Sequence, residues 1–467
     1  MNLKENTSYS IIKVIERKLT EIFFFSFLFC SFLSCDQTPL ESGSELSSLK
    51  VQGWAISNLT SNSATLSWSC STIAKGFVSY GPSTGTENIA VSLVDGRKHL
   101  VELKNLSGNT NIKFQVVCEH DTGMAMSGMQ SFESQPDLSQ ILKRGIIVVG
   151  GLGDSLAAVA QIDLYDPVTD LWYEKITNIP TPRAYANIVS LNNKIYVIGG
   201  MDTSLTTLLT TVEEYDPFAN SWKTLSSMPQ ALVGSSIASV GSSIYLLGGT
   251  IGVAMSAPPA NKVYKFTPGI GASGTWQMIS SSSPILARSD MNACSIDGII
   301  FYSTGRNYSG NVQNTGDAYI PSSNTTTGAE SAFNLSKFGA GSACYRPLPS
   351  DLNPSDFPAV VTVGGSTLNN VNEPPNAILP STEFEIYTIG SNKSITTGSV
   401  MPNPVYAPSV EFSYDTRSVY VFGGSKTVYV PLDLVYSISM GSTTGTWTAR
   451  NSMPVARYGH RSVILSR

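Results

Sequence analysis

Four stretches of this chain gather side chains able to bind or exchange protons. Arg183, Tyr185 and Asn187 stand together, as do Asp290 and Asn292, Tyr406 and Glu411, and Arg457, His460 and Arg461. Guanidinium groups with few carboxylates among them suit an acidic sugar or an acidic peptide, because the planar fork of Arg takes a carboxylate in two parallel hydrogen bonds. An alternative is structural: Arg183, Arg288 and Arg457 recur at equivalent places in a repeat and would hold loops together. Acid and base groups are present, but nothing assigns them a catalytic task. With three His in the whole chain and no second ligand at chelating spacing, no metal or cofactor is expected, and His99 and His120 read as exposed strand-end residues.

These stretches precede, or follow, an insistent pattern. An apolar run ends in Gly150-Gly151, Gly199-Gly200, Gly248-Gly249, Gly364-Gly365 and Gly423-Gly424, with a degenerate Thr304-Gly305 between the third and fourth pairs. Spacings between successive second glycines are 49, 49, 56, 60 and 59 residues. Periods of this size mark a propeller. Tyr165-Asp166-Pro167 is followed by Trp172 and Tyr215-Asp216-Pro217 by Trp222, with weaker echoes in Tyr264 with Trp276 and Tyr436 with Trp447, while Pro180, Pro229, Pro284, Pro402 and Pro454 punctuate the exits. Together these residues resemble the kelch motif over some 320 residues. The resemblance implies an all-β fold, a six-bladed kelch-type β-propeller over 144–467, with ligands taken at the mouth of its central channel.

The ends of the repeat predict how the ring closes. The first copy enters almost directly at Ile146, without the leading strand of the others, and 457–465 has the form of that strand with no glycine pair after it. The last strand is therefore expected to complete the first blade, leaving no free edge. Gly151-Leu152-Gly153 is no dinucleotide loop, because Leu156 takes the sixth place and the glycine pair recurs without a helix. Irregular insertions at 321–333 and 348–358 are candidates for shaping a recognition surface. Cys294 and Cys344 occupy matching positions on adjacent inner strands and read as small buried packing residues, with a bridge as the alternative.

Ahead of the repeat, 50–135 alternates polar and apolar residues in short runs, as at 64–68, 76–80 and 112–116. Trp68, Tyr80-Gly81 and 106–110, in that order, resemble a fibronectin type III-like β-sandwich, which implies a spacing or presenting module; Ile112 stands where that family has Tyr. Cys70 and Cys118 could form a disulfide in an oxidising compartment, but both fall near strand ends that antiparallel pairing is expected to place at opposite poles, which disfavours a bond that needs Cα atoms within about 7 Å.

The first 34 residues read as a lipoprotein signal peptide. Lys4, Lys13, Arg17 and Lys18 precede the apolar stretch 22–33, too short to span a bilayer. Phe32-Leu33-Ser34-Cys35 resembles a bacterial lipobox, with Phe in place of the usual Leu, which implies lipidation at Cys35 and a flexible tether over 35–49. The expected location is the bacterial cell envelope, anchored to a membrane such as the outer membrane or displayed at the cell surface.

Composition supports an exported β protein: charged residues make up only 13%, and 29 Lys+Arg against 34 Asp+Glu give a net charge of −5. No basic run could neutralise a phosphate backbone, so nucleic acid is not an expected partner. The resemblance to kelch propellers raises two enzymes, a copper oxidase and a sialic acid mutarotase. The first needs two His and a Tyr crosslinked to Cys, and His460 is alone in the repeat region. The leading expectation is a monomeric binding module for a protein or glycan, with a mutarotase-like carbohydrate enzyme and a passive envelope scaffold as alternatives.

Overall fold

The structure, a computed structural model, describes residues 49–467 apart from 253–258, 270–272, 280–284, 308, 329, 352–353, 368–377, 390–394, 428–429, 442–444 and 466–467. The expected signal peptide at 1–34, Cys35, all but the last residue of the 35–49 tether, and Pro284 lie outside the described residues. Two compact units part between Pro136 and Asp137.

In the first unit, β1 (Val51–Ser57) and β4 (Gly96–Lys104) flank the first leg of a 19-residue strand, β2 (Ser63–Gly81). The second leg of β2 pairs with β3 (Asn88–Val91) and β5 (Asn111–His120), and β5 carries β6 (Gly123–Met126) and β7 (Gln130–Glu133). The runs at 64–68 and 76–80, expected as separate strands, are thus two legs of one. No Gly or Pro stands in 69–75 to break the extended backbone, so it bends instead. Leu66, Trp68, Val78, Leu103, Phe114 and Val116 meet in the core.

That bend corrects the expectation about Cys70 and Cys118, which form a disulfide with Cα atoms 6.0 Å apart. Cys70 closes the first leg. β5 runs antiparallel to the second leg, so its far end, with Cys118 opposite Gly76, returns to the same bend. His99 also departs from expectation. It is 3% exposed, opposite Trp68 in register, and stacked on its ring at 5.1 Å. Space for the pair exists because residue 76 is Gly; a Cβ there would lie 2.4 Å from the imidazole. Burial holds the His99 pKa below the usual histidine range. His120 is exposed, as expected.

The second unit is a six-bladed β-propeller. From the axis outward, blade 2 has Asn187–Leu191, Lys194–Ile198, Val212–Asp216 and Ser221–Leu225, and each other blade repeats this antiparallel meander. The innermost strands of blades 3 to 6 are Ser236–Val240, Asn292–Ile296, Gly341–Tyr345 and Ser409–Ser413. In blade 1 the innermost strand is the C-terminal Arg461–Ile464, paired with Ile146–Val149. Ring closure follows the sequence reading.

Second strands are buried on both faces, as in Ser418–Phe422, because each blade is covered by two others. The paired glycines after them turn with both φ positive, for example 62° and 94° at Gly199 and Gly200; a Cβ on Gly200 would lie 2.6 Å from the Ala184 carbonyl. Thr304 holds the same turn at φ 61°.

Outer-strand tryptophans fasten four of the blades, 1, 2, 3 and 6, to the one before. Trp172 donates its indole N–H to the Asn451 carbonyl, Trp222 to Thr177 Oγ1, Trp276 to the Ser226 carbonyl and Trp447 to the Ser399 carbonyl, at 2.7–3.2 Å. The ring beside Trp276 is Phe266, at 4.8 Å, and the ring beside Trp447 is Phe384, at 5.3 Å, rather than Tyr264 and Tyr436 as the weaker echoes suggested.

Deleting 461–467 removes the innermost strand of blade 1 and bares Ile146–Val149 as an unpaired edge. The truncated chain is expected to self-associate and lose its cooperative thermal transition, read by size-exclusion chromatography and circular dichroism; a monomer with an unchanged melt would contradict this closure.

Candidate functional site

Blade register explains the recurring arginines. The residue four places ahead of each innermost strand is Arg457, Arg183, Leu232, Arg288, Lys337 and Val405 in blades 1 to 6. Cross-strand pairing places Asp163, Glu213, Tyr264, Asp317, Glu385 and Tyr436 at the matching point of each third strand. A carboxylate stands wherever the first residue is cationic, and Tyr stands where it is Leu or Val. Arg183 and Arg457, both fully buried, bond Glu213 and Asp163 at 2.5 Å, and Lys337 bonds Glu385 at 2.5 Å. Each of these two arginines also donates to the carbonyl of the first turn glycine, Gly199 or Gly150. Arg288 reaches the corresponding Thr304 carbonyl and that of Thr315. Desolvation lowers the pKa of all four cations. These side chains are turned into the blades, not toward ligand.

Two residues ahead of each innermost strand the backbone is left-handed in every blade: Gly459, Tyr185, Gly234, Asp290, Gly339 and Ala407 have φ between 49° and 66°. These six residues form a hoop around the channel mouth, and backbone hydrogen bonds link it from blade 3 round to blade 1: Asp290 N–H donates to the Gly234 carbonyl, Gly339 to Asp290, Ala407 to Gly339 and Gly459 to Ala407. Small residues make room for large neighbours. A Cβ on Gly459 would strike the Tyr185 ring at 2.6 Å, one on Gly234 the Asp290 carboxylate at 2.7 Å, and one on Gly339 the Tyr406 ring at 2.5 Å. Tyr185 and Asp290 each hold a conformation costing about 1–2 kcal/mol for an L-residue.

Within the hoop lies a cavity of about 410 Å³ lined by Tyr185, Asn187, Asp290, Asn292, Arg306, Tyr406, Tyr458 and Arg461. A second cavity, about 490 Å³, opens at the other end of the channel, with Glu411 and the half-buried Cys294 and Cys344 in its wall. Asn292 and Arg461 border both. Tyr185 and Tyr458 meet edge to face at 6.3 Å, and Arg306 lies 3.5 Å above the Phe338 ring. The structure therefore brings together six of the ten proposed mouth residues. Glu411 faces the opposite cavity, and Arg183 and Arg457 lie inside blades.

His460, also in that set, lines neither cavity; it is 1% exposed, wedged against the turn glycines Gly151 and Gly423. Burial, with Arg457 and Arg461 nearby, holds its pKa far below the usual histidine range. Desolvation pushes Glu411 up to about 8.

Sequence reading missed Arg306 and Tyr458. A signal for Arg306 existed: the residue after each glycine pair is Leu152, Met201, Thr250, Ser366 or Ser425, and Arg306 alone is charged there. The insertions at 321–333 and 348–358 do not rim this mouth. The first lies at the outer edge of blade 4, and the second joins the two inner strands of blade 5 at the Glu411 end. Mouth loops instead follow the glycine pairs.

Cys294 and Cys344 form a disulfide linking blades 4 and 5, with Cα atoms 5.6 Å apart. They do not match in register, as first read. Cys294 is third in Asn292–Ile296 and Cys344 fourth in Gly341–Tyr345. Side chains alternate along a strand, so this offset turns the two toward each other across the interface.

Two measurements follow. Arg183→Leu leaves Glu213 as an unpaired buried charge and is expected to cost about 3–5 kcal/mol in chemical denaturation. Adding Glu213→Tyr reproduces the Leu232/Tyr264 pair of blade 3 and is expected to restore most of it. For Glu411, a folded pKa above the unfolded value gives stability present below about pH 4.5 and lost as pH rises through 8. The melting-temperature gain of Glu411→Gln over the parent should therefore grow between pH 5 and pH 8.5; a constant difference would refute the shift.

Comparison with known proteins agrees with this geometry. Residues 182–229, spanning the Arg183 clamp, the Gly199-Gly200 turn and Trp222, match the family model described as Kelch motif. An F-box/kelch-repeat protein of Arabidopsis thaliana is 37% identical over 87 residues, 18% of each chain. Alpha-scruin of Limulus polyphemus is 32% identical over 99 residues, 21% of this chain and 11% of its own. Kelch-like protein 7 of Rattus norvegicus is 36% identical over 104 residues, 22% of this chain and 17% of its own. The matched stretch thus spans less than a fifth of these relatives. Repeat motif, blade register and ring closure converge on one conclusion: the second unit of this chain is a kelch-repeat β-propeller.

Proposed function

We propose that this protein is an exported binding module, lipid-anchored at Cys35 to a bacterial envelope membrane, that engages a protein or glycan through the propeller face bearing the Arg306 mouth. The observation that carries this reading is the make-up of that face. Mouth loops present Ile251, Leu379 and Val430 at 60, 55 and 50% exposure around a polar, aromatic-walled cavity. Exposed apolar residues around a polar centre are what a recognition surface presents. Kelch-repeat relatives support a protein partner, and two disulfides suit an oxidising compartment. Residues 50–135, as a fibronectin type III-like module, would space the propeller from its anchor.

The mutarotase-like alternative gains little, since Asp290 and Glu411 open on different cavities and no one ligand atom meets both. A passive scaffold gives no reason for Tyr185 and Asp290, rather than glycine, at left-handed positions of the backbone.

Full-length protein should capture a partner from envelope or host extracts, or a glycan on an array. Ile251→Asp with Leu379→Asp should abolish capture, while Leu171→Asp on an outer strand should leave it intact. Silence in both assays, or equal capture by all three proteins, would refute the reading. Radiolabelled palmitate should enter the parent and not Cys35→Ser.

A further inference from the structure

Buried hydrogen-bond donors without partners collect in the mouth cavity. Asn187 is 3% exposed and its Nδ2 has no partner; Arg306 is 9% exposed and its Nε has none either, the Asp290 carboxylate standing 3.9 Å away. Arg461 makes no ion pair within 4 Å among the described residues, although Asp290 and Glu411 both act on it through space. Two guanidiniums therefore face one lining carboxylate, Asp290. Buried donors without acceptors are rare in folded proteins and call for an explanation such as a ligand or ordered water. Here they share one cavity of about 410 Å³, ample for a ligand of monosaccharide size and far larger than a bare oxyanion requires. Its phenol walls, Tyr185, Tyr406 and Tyr458, offer flat apolar faces with polar tips.

We propose that this cavity is a binding site for a small hydroxylated carboxylate, the carboxylate held by Arg306 and Arg461 and a hydroxyl accepting from Asn187 Nδ2. The site rests on the proposed binding function only in using the same face. Asp290 orients Arg306 from the hoop, and Phe338 supports the guanidinium from below.

The test is calorimetric titration of the full-length protein with D-glucuronate, D-glucose and inorganic phosphate. Glucuronate should bind at least about tenfold more tightly than glucose, the difference expected for a charge-assisted hydrogen bond. Arg461→Gln and Arg306→Gln, each verified as folded by its melt, should each weaken glucuronate binding about ten- to a hundredfold. If Arg461→Gln does not fold, Arg461→Lys, which keeps the charge without the fork, should still weaken it measurably. No binding of glucuronate at millimolar concentration, binding indifferent to the Arg variants, or phosphate binding as tightly as glucuronate would each overturn the proposal. Failure here alongside intact partner capture would leave the proposed function standing, and the converse would leave this site standing.

Discussion

Every blade is fastened at one buried crossing, where the residue four places ahead of the innermost strand meets the third strand. In four blades the crossing holds a cation, with a carboxylate at the matching point; in the other two, Leu232 faces Tyr264 and Val405 faces Tyr436. A buried charge without its partner is costly, so a cation at one place demands an acid at the other. The apolar alternative needs neither, and the repeat contains both solutions within one chain. Because Arg183 and Arg457 also hold the first turn glycine, the crossing sets the height at which the second strand ends and the mouth loop begins. Position of the mouth therefore depends on it.

Between blades the connections are of another kind. Neighbouring innermost strands belong to different sheets, so side chains must join them. Ser190 donates to the Ile464 carbonyl between blades 2 and 1, Ser236 to the Met291 carbonyl between blades 3 and 4, and Ser409 meets Ser462 between blades 6 and 1. Between blades 4 and 5 the Cys294–Cys344 bond takes this role. Farther out, tryptophans of blades 1, 2, 3 and 6 point back to the preceding blade, so all four of these bonds run in one direction around the ring.

The hoop of left-handed residues is the point at which architecture becomes a site. Glycine would satisfy that conformation without strain at all six positions. Three are Gly, one is Ala, and the remaining two are Tyr185 and Asp290, each above a glycine of a neighbouring blade. Tyr185 is flanked by Gly459 and Gly234, and Asp290 by Gly234 and Gly339, so the two large side chains share the mouth without collision. Strain retained at three positions where glycine would serve, two of them bearing side chains that line the mouth, marks it as the part of the propeller shaped for something other than stability.

By itself the sequence determined the number of blades, the closing strand and the neighbourhood of the mouth, because paired glycines, tyrosines and tryptophans recur at intervals that leave one arrangement of strands. Arg183 and Arg457 show where that reading stops. Their repeat positions were legible, but the carboxylates that claim them lie about thirty residues away for Arg183 and at the far end of the unit for Arg457, a pairing created only by cross-strand register and ring closure. Depth decided the fates of His460, withdrawn between turns, and Glu411, directed to the opposite cavity. Parity decided the cysteines: one residue of offset turns Cys294 toward Cys344, and a strand that bends rather than breaks brings Cys70 to Cys118. Such outcomes rest on which way a side chain faces once sheets are stacked, and facing is a property of the assembled ring rather than of any local run of residues.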